Sequence, residues 1–498
     1  MGLVQKDAFR TTVISYVGIL IGYLNKGVLF LIILSTAQIG LINLIISIGT
    51  LFAQLANFGT VYVTWKFFPF LKNEEKRHHG FLPFVLLIVG TGIVLYSGLY
   101  ILFRDQIQQG YIEKSPMFLD YYYWILPIGI SYAFFIVLET YLRSLYKNII
   151  AVFAYEVVLR LALTVILVLK WLDLISFELF VGLHSLLYII PTMILVFYLG
   201  RINEFHLRVS TIQIPKRFKK IIFYFSSFSY INTLGGVWVS SLDVLMIAQF
   251  VGLKGAGIFA TVVFLAGVLQ VPFKSILRVS APMVSDYWKH REMDKMKELY
   301  TKVSSVSLVI GLSMFLLCWV NIDFLFSFIK SEFREGIWVF FFIMIGRLVD
   351  MYFGINGSIF STSKKYRYDI FFTVSLIIGV YLLNYWLIPI WGIVGAAIST
   401  SIALIVYNVG RLLFVWIAYK LHPFHRNQFV IIGLFVIAMM AGHFTQGLIN
   451  NKWIQFLFES TLAIVLFFVP IYLLSLEKET VNYIKKGMAF VRSKFRRN

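Results

Sequence analysis

Charged side chains within apolar stretches are the residues of this sequence whose types and spacing could support chemistry. Lys26 lies near the middle of the first apolar stretch, and Lys274 and Arg278 lie four residues apart in a later one, between Pro272 and Pro282. A charge at the centre of a bilayer costs at least about 2.5 to 3.5 kcal/mol, so each should face a cavity, a partner or the headgroups. Lysine and arginine bind phosphate, so these three cations are candidate contacts for an anionic ligand.

These cations also have structural interpretations. Lys26 is a possible ion-pair partner of Asp243, and Lys274 and Arg278 could extend to lipid headgroups from the end of their helix. Both interpretations of Lys26 are compatible if Asp243 holds it in one state and releases it when substrate or a coupling cation arrives. Asp243 is therefore a candidate coupling or gating residue.

Other charges in apolar stretches have partners nearby in the sequence. Glu139 is a candidate for proton coupling, with Arg143 one turn away. Arg411 and Glu459 are expected to lie near helix ends and extend to the headgroups. Two couples at i,i+3 and i,i+4 spacing are expected to be structural pairs within the membrane: Arg347 with Asp350, and Glu156 with Arg160.

The elements that position these residues are predicted to be membrane-spanning helices. Of the 498 residues, 59% are hydrophobic and 14% are charged, and the apolar runs are continuous and about 20 residues long, as transmembrane helices require. We predict an all-α integral membrane protein of about fourteen such helices. The predicted spans are 11–34, 39–66, 81–103, 118–142, 149–170, 175–200, 221–250, 256–281, 301–322, 335–361, 368–388, 391–419, 427–449 and 453–475.

The distribution of positive charge predicts the topology. With the N-terminus inside, about three quarters of the 44 Lys and Arg residues fall in cytoplasmic segments. An even number of spans places both termini in the cytoplasm. The net charge of +20 is then explained by topology, and no nucleic-acid partner is expected. The cytoplasmic loops and the residues 285–300 and 477–498, expected to be amphipathic helices, are predicted to contact anionic lipids.

A weak internal repeat divides the chain. Gly40 and Gly257, about 217 residues apart, occupy equivalent places in the two halves, and the same offset relates Lys26 to Asp243. Gly18 and Gly22 form a face of small residues expected to pack against another helix of the same chain. The predicted domains are an N-lobe at 1–210, a C-lobe at 211–422, two additional helices at 423–476 and a basic tail at 477–498.

Four stretches, 34–44, 240–260, 281–285 and 388–397, resemble in order and spacing the polysaccharide (O-antigen) flippases of the multidrug/oligosaccharidyl-lipid/polysaccharide exporter superfamily. The resemblance implies two six-helix bundles around a cavity, alternating access, and an undecaprenyl-pyrophosphate-linked oligosaccharide as substrate. Lys26, Lys274 and Arg278 would then contact the pyrophosphate or an anionic sugar.

The sequence therefore predicts a transporter in a bacterial inner membrane that is not an enzyme and contains no cofactor or metal. The coupling cation, H⁺ or Na⁺, is left open. A monomer is expected, with glycosyltransferases or a polymerase as possible partners. A cation-coupled multidrug exporter is the first alternative, although its cavity should be rich in carboxylates. A membrane polysaccharide polymerase or ligase is the second, disfavoured because the outer loops are short.

Overall fold

The fold is entirely helical in the part of the chain that the computed structural model describes, residues 2–73, 75–267, 270–482 and 485. Helices satisfy backbone hydrogen bonds within their own segment, which hydrocarbon requires of any single spanning element. The chain forms two compact units, Met1–Thr261 with Asn384–Ile393, and Val262–Leu383 with Val394–Asn498. Most of the predicted tail at 477–498 lies outside the described residues.

The first unit is built mainly from the N-terminal helices. In chain order they are α1 (Gly2–Leu24), a π-helical segment (Asn25–Leu29), α2 (Phe30–Ile33), α3 (Thr36–Ala56), α4 (Thr60–Leu71), α5 (Phe81–Leu102), α6 (Arg104–Gln109), α7 (Met117–Asp120), α8 (Ile125–Ser144), α9 (Ile149–Phe153), a second π-helical segment (Ala154–Val158), α10 (Leu159–Trp171), α11 (Phe177–Leu186), α12 (Ile189–Arg201), α13 (Lys216–Phe250) and α14 (Leu253–Ala266). Helix α14 continues past the end of this unit at Thr261.

The second unit contains most of the remaining helices. They are α15 (Gln270–His290), α16 (Met293–Val320), α17 (Ile322–Phe326), α18 (Ile337–Phe353), α19 (Ile355–Thr362), α20 (Asp369–Tyr419), α21 (Arg426–Thr445) and α22 (Lys452–Leu473). Short 3₁₀ turns lie at Arg77–Gly80, Tyr122–Trp124, Val209–Thr211, Ser331–Gly336 and Tyr366–Tyr368.

Eleven helical segments of the described chain are long and apolar enough to cross a membrane, or twelve if the bent pair α14 and α15 forms one span. One of the eleven is α20, whose 51 residues correspond to about 75 Å, far more than the roughly 30 Å of hydrocarbon. Its backbone leaves the helical conformation at Gly392, near the start of the predicted span 391–419 and four residues after the end of the predicted span 368–388. The chain is thus a multi-pass membrane protein, while the count of fourteen and the cytoplasmic termini remain predictions.

Several predicted spans are interrupted. The predicted span 39–66 is divided between α3 and α4, where Asn57 Nδ2 donates to the Ala53 carbonyl at 2.6 Å and Gly59 adopts φ 72°. The predicted span 335–361 is likewise divided between α18 and α19. The prediction of one amphipathic helix at 285–300 is wrong, because α15 ends at His290 and Arg291 adopts the left-handed conformation, φ 59°.

The glycines of the predicted repeat meet in a reciprocal contact within the first unit. A Cβ atom on Gly40 would lie 2.9 Å from the amide nitrogen of Gly257 and would overlap the carbonyl oxygen of Leu253. A Cβ atom on Gly257 would lie 2.9 Å from the amide nitrogen of Gly40 and would overlap the carbonyl oxygen of Thr36. Each obstructing carbonyl lies four residues before the opposite glycine, so α3 and α14 cross with local two-fold symmetry.

Alanine at Gly392 is expected to lower the free energy of unfolding by about 1 to 3 kcal/mol, because residues other than glycine rarely adopt such a backbone conformation. The dihedral angles are φ 56° and ψ −134°. No described atom lies within 4 Å of the position of the added Cβ, so the cost would come from the backbone alone. Thermal unfolding of the detergent-solubilised protein measures it.

Gly433→Ala is the matched control for this substitution. Gly433 lies inside the regular helix α21, and its Cβ position is also clear of described atoms to 4 Å. Alanine there should leave the transition temperature unchanged or raise it, because alanine favours helix. Equal destabilisation by both substitutions would contradict the assignment of strain to Gly392.

Candidate functional site

Lys26 lies in the π-helical segment Asn25–Leu29, which interrupts the first membrane-spanning helix. The neighbouring Asn25 is fully buried. Its Nδ2 donates to the Arg160 carbonyl at 2.8 Å, and Thr164 Oγ1 donates to its Oδ1 at 2.8 Å. These two hydrogen bonds fix the segment that carries Lys26 against α10. Single π turns within α-helices are frequent at functional sites.

A second π-helical segment lies opposite the first helix. This segment, Ala154–Val158, contains Glu156, which forms an ion pair with Arg160 at the start of α10. The face of small residues predicted for the first helix packs against this segment. A Cβ atom on Gly22 would lie 3.0 Å from the Arg160 guanidinium, and a Cβ atom on Gly18 would lie 2.8 Å from Glu156 Cβ. The two glycines therefore bring the first helix close to the Glu156–Arg160 pair.

The charges at this position are predominantly positive. Lys26 interacts electrostatically with Arg160, a like charge, and with the buried His184 on α11. Among the described residues, no carboxylate forms an ion pair with Lys26, and Glu156 is engaged with Arg160. We define the Lys26 cluster as Lys26, Arg160, Glu156 and His184. Its two cationic side chains and single carboxylate favour an anionic ligand.

Asp243 lies on α13 and is 4% exposed. Asn384 on α20 donates from Nδ2 to Asp243 Oδ1 at 2.8 Å. The structure therefore gives Asp243 an amide partner, and the ion pairs of the described residues do not include one between Asp243 and Lys26. The two-state hypothesis that links these residues remains a prediction.

Glu139 and Arg143 form an ion pair on α8. The Arg143 side chain is 46% exposed and that of Glu139 is 18% exposed. The guanidinium also lies 5.7 Å from the centre of the Trp65 ring. Glu139 is thus partly buried beside an exposed cation.

In the second unit, Lys274 and Arg278 are located on α15, and both are exposed. Lys274 interacts electrostatically with Asp350, as do Arg347 and Arg411. Asp350 accepts hydrogen bonds from Asn408 Nδ2 at 3.3 Å and Gln270 Nε2 at 3.5 Å. Arg347 Nη2 donates to the Val263 carbonyl at 3.1 Å, and the described ion pairs do not include Arg347 with Asp350. Asp350 thus accepts hydrogen bonds from two amides and interacts electrostatically with three cations.

Comparison with known proteins identifies the fold. No protein-family model matches the sequence, and no curated protein matches it. The structure of the lipid II flippase MurJ in its inward closed conformation matches with 14% identity and a TM-score of 0.72, over 94% of this chain and 99% of that chain. This chain shares the fold of that protein.

The same fold is found in transporters of the MOP superfamily. A multidrug resistance MATE family transporter, inward-facing, matches with 12% identity and a TM-score of 0.61, over 83% of this chain and 98% of that chain. A MOP superfamily transporter from Pyrococcus furiosus, noted for the reverse polarity of its binding pocket, matches with 12% identity and a TM-score of 0.52, over 83% and 96% of the two chains. At these identities the likeness shows the fold alone.

Two charged groups expected to extend to the headgroups are instead buried or paired within this flippase-like fold. Arg411 donates to Asp369 Oδ1 from Nε at 2.9 Å and from Nη2 at 2.5 Å. Glu459 is 5% exposed and accepts a hydrogen bond from Gln455. Whether a side chain near a helix end is buried depends on how far the neighbouring helices extend. The sequence of one helix does not indicate this.

The amide and imidazole side chains of the candidate sites were not predicted from the sequence. These are Asn25 and His184 near Lys26, Asn384 beside Asp243, and Gln270 and Asn408 beside Asp350. Only Asn25 had a usable signal, because it is an amide next to a lysine within an apolar stretch.

Proposed function

We propose that this protein translocates an undecaprenyl-pyrophosphate-linked oligosaccharide across the bacterial inner membrane for surface polysaccharide synthesis. In this proposal a monomer with both termini in the cytoplasm moves the substrate by alternating access. Glycosyltransferases or a polymerase would act on the same lipid-linked sugar before or after transport. The flippase-like fold supports a transport function.

The observation that carries the proposal is the positive character of the Lys26 cluster. Lys26 and Arg160 repel each other, so an anion placed near both would relieve the repulsion. A diphosphate provides such an anion, and its charge strengthens hydrogen bonds from both side chains. The π-helical turn and the Asn25 hydrogen bonds hold Lys26 in place before the ligand binds.

Two further groups of residues have proposed roles. Lys274 and Arg278 would provide a second contact for the pyrophosphate or an acidic sugar. Asp243 would bind the coupling cation, H⁺ or Na⁺, or gate Lys26, and Glu139 would assist proton coupling. A buried carboxylate with an amide partner is a suitable acceptor for either cation.

Cation-coupled multidrug export is the second candidate function. It is favoured by the likeness to MATE transporters and disfavoured by the charge of the Lys26 cluster, since a cationic drug would be repelled there. A polymerase or ligase would share the lipid-linked substrate but lacks support from the fold comparisons.

Complementation of a flippase-null host tests the proposal. Surface polysaccharide is measured for wild type, Lys26→Ala, Arg278→Ala and Asp243→Asn at equal membrane levels. We expect wild type to restore the polysaccharide and Lys26→Ala to give at least about tenfold less, because loss of one buried charge contact typically costs more than about 1.4 kcal/mol. Lys295→Ala is the control, since Lys295 is 61% exposed and paired with Glu292.

The outcomes separate the candidate functions. Full rescue by Lys26→Ala would refute the assignment of the anion site. Absence of rescue by wild type, together with resistance of the host to a cationic dye such as ethidium, would favour multidrug export. Full rescue by Asp243→Asn would remove Asp243 from the coupling mechanism.

A further inference from the structure

A group of aromatic side chains lies beside the Lys26 cluster in the first unit. Tyr132 and Phe135 on α8 present nearly parallel rings, with centroids 6.2 Å apart and planes at 9°. Tyr155, in the second π-helical segment, lies across both, at 5.8 Å from Tyr132 and 5.1 Å from Phe135. Tyr188, between α11 and α12, meets Tyr132 edge-on at 6.3 Å. We call these four residues the tyrosine cluster.

The tyrosine cluster is continuous with the charged residues. Tyr155 precedes Glu156 in the same π turn, and the Tyr188 ring lies 6.2 Å from the ring of His184. Tyr188 also interacts electrostatically with Arg160, and Tyr132 with Glu156. Aromatic faces therefore lie next to a carboxylate, a guanidinium and an imidazole.

A second tyrosine pair in the same unit has a structural arrangement, because its hydroxyls are bound to the backbone. Tyr100 and Tyr122 stack at 4.2 Å, and each hydroxyl donates to the other residue's backbone carbonyl, at 3.1 and 2.7 Å. Within the described chain, no backbone carbonyl accepts a hydrogen bond from the hydroxyl of Tyr132, Tyr155 or Tyr188, and the hydroxyls of Tyr132 and Tyr155 interact with each other. These three side chains are also only partly buried.

Aromatic rings next to charged side chains that form hydrogen bonds are suited to bind sugars. One face of a pyranose ring exposes C–H groups, which pack on the electron-rich face of an aromatic ring, and its hydroxyls require donors and acceptors at the edge. A lipid tail would pack on the rings but would offer no hydrogen-bonding group to the carboxylate, guanidinium and imidazole beside them. A diphosphate would use the cations but not the rings.

We propose that the tyrosine cluster is the saccharide subsite of the transporter and holds a pyranose ring of the lipid-linked oligosaccharide. The sugar packs on the Tyr132 and Tyr155 rings, while Glu156 and His184 bind its hydroxyls. Lys26 and Arg160 then bind the adjoining diphosphate. This inference rests on the proposed function and adds to it the part of the site that recognises sugar.

Binding of two lipids that differ only in the sugar tests the inference. The purified full-length protein in nanodiscs is titrated with undecaprenyl diphosphate and with undecaprenyl-diphosphate-linked N-acetylglucosamine. We expect wild type to bind the glycosylated lipid about tenfold more tightly. Tyr155→Leu should reduce this ratio to about twofold or less without changing the Kd for undecaprenyl diphosphate, and Tyr155→Phe should keep most of the ratio because the ring remains.

The experiment includes one control variant and one replacement variant. Tyr381→Leu, at a residue that is 49% exposed on α20, should leave both affinities unchanged. If Tyr155→Leu does not fold, Tyr188→Leu replaces it, with the same expected loss of the sugar-dependent ratio.

The possible results distinguish the two proposals. Equal binding of both lipids by wild type overturns the saccharide subsite and leaves the flippase proposal intact. Equal weakening of both lipids by Tyr155→Leu shows a structural role and also overturns it. Absence of binding of either lipid by wild type overturns the proposed function itself, and the subsite with it.

Discussion

Alanine at Gly40 or at Gly257 is expected to prevent the protein from folding stably. The added methyl group would lie 2.9 Å from a backbone nitrogen of the opposite helix and overlap a backbone carbonyl there. Backbone atoms cannot rotate away as a side chain does, so α3 and α14 would have to separate. Overpacking typically costs about 1 to 3 kcal/mol, and a clash between two backbones should exceed that range. A large loss of the monodisperse peak in fluorescence-detected size-exclusion chromatography measures this effect.

Gly98→Ala is the matched control for both glycines. Gly98 lies in α5, and no described atom comes within 4 Å of its Cβ position. It should give a wild-type elution profile and transition temperature. A normal profile for Gly40→Ala would mean that α3 and α14 do not cross as closely as described. Loss of folding on substitution of only one of the two glycines would contradict the reciprocal contact.

The repeat in the sequence already related these two glycines to each other. The offset that relates Gly40 to Gly257 also predicted that the two places are equivalent, and the reciprocal crossing agrees with that equivalence. Most spans were predictable for a simpler reason: a segment in hydrocarbon must be both apolar and helical. The packing of Gly18 and Gly22 within the chain is also confirmed, since small residues allow close approach of helices.

The interruptions of the helices were less predictable. A π-helical segment such as Asn25–Leu29 differs from an α-helix by one residue in a turn, which leaves no mark in hydrophobicity. The break at Arg291 depends on one residue in the left-handed conformation, and no glycine or proline indicates it. These features are fixed by contacts with other helices, as the hydrogen bonds of Asn25 show.

The candidate site was only partly predictable. Glu156 and Arg160 are one helical turn apart, and their ion pair follows from that spacing. The proximity of Arg160 to Lys26 joins residues that are far apart in the sequence and requires the fold. The same is true of Asp243 and Asn384, which are 141 residues apart. Residue spacing relates side chains on one helix, whereas a site within a helix bundle is assembled from several helices.

Removing one partner of the Arg411–Asp369 ion pair is expected to destabilise the protein strongly. The pair joins residues 42 positions apart, with hydrogen bonds of 2.9 and 2.5 Å to one carboxylate oxygen. The side chains are 12% and 16% exposed. Arg411→Leu would leave Asp369 without this partner, and Asp369→Leu would leave the guanidinium above the Tyr407 ring, 4.6 Å from its centre. We expect each to cost about 3 kcal/mol.

A double-mutant cycle separates the interaction from the loss of side-chain volume. Arg411→Leu combined with Asp369→Leu removes both charges, so it should recover at least about half of the summed single losses. The free energy of unfolding in mixed micelles of dodecylmaltoside and sodium dodecyl sulfate measures each variant. Lys295→Ala, which breaks an exposed ion pair, should change it by less than about 1 kcal/mol. Strict additivity of the two leucine substitutions would mean that this pair contributes nothing beyond packing, and that Asp369 and Arg411 are stabilised by their other neighbours.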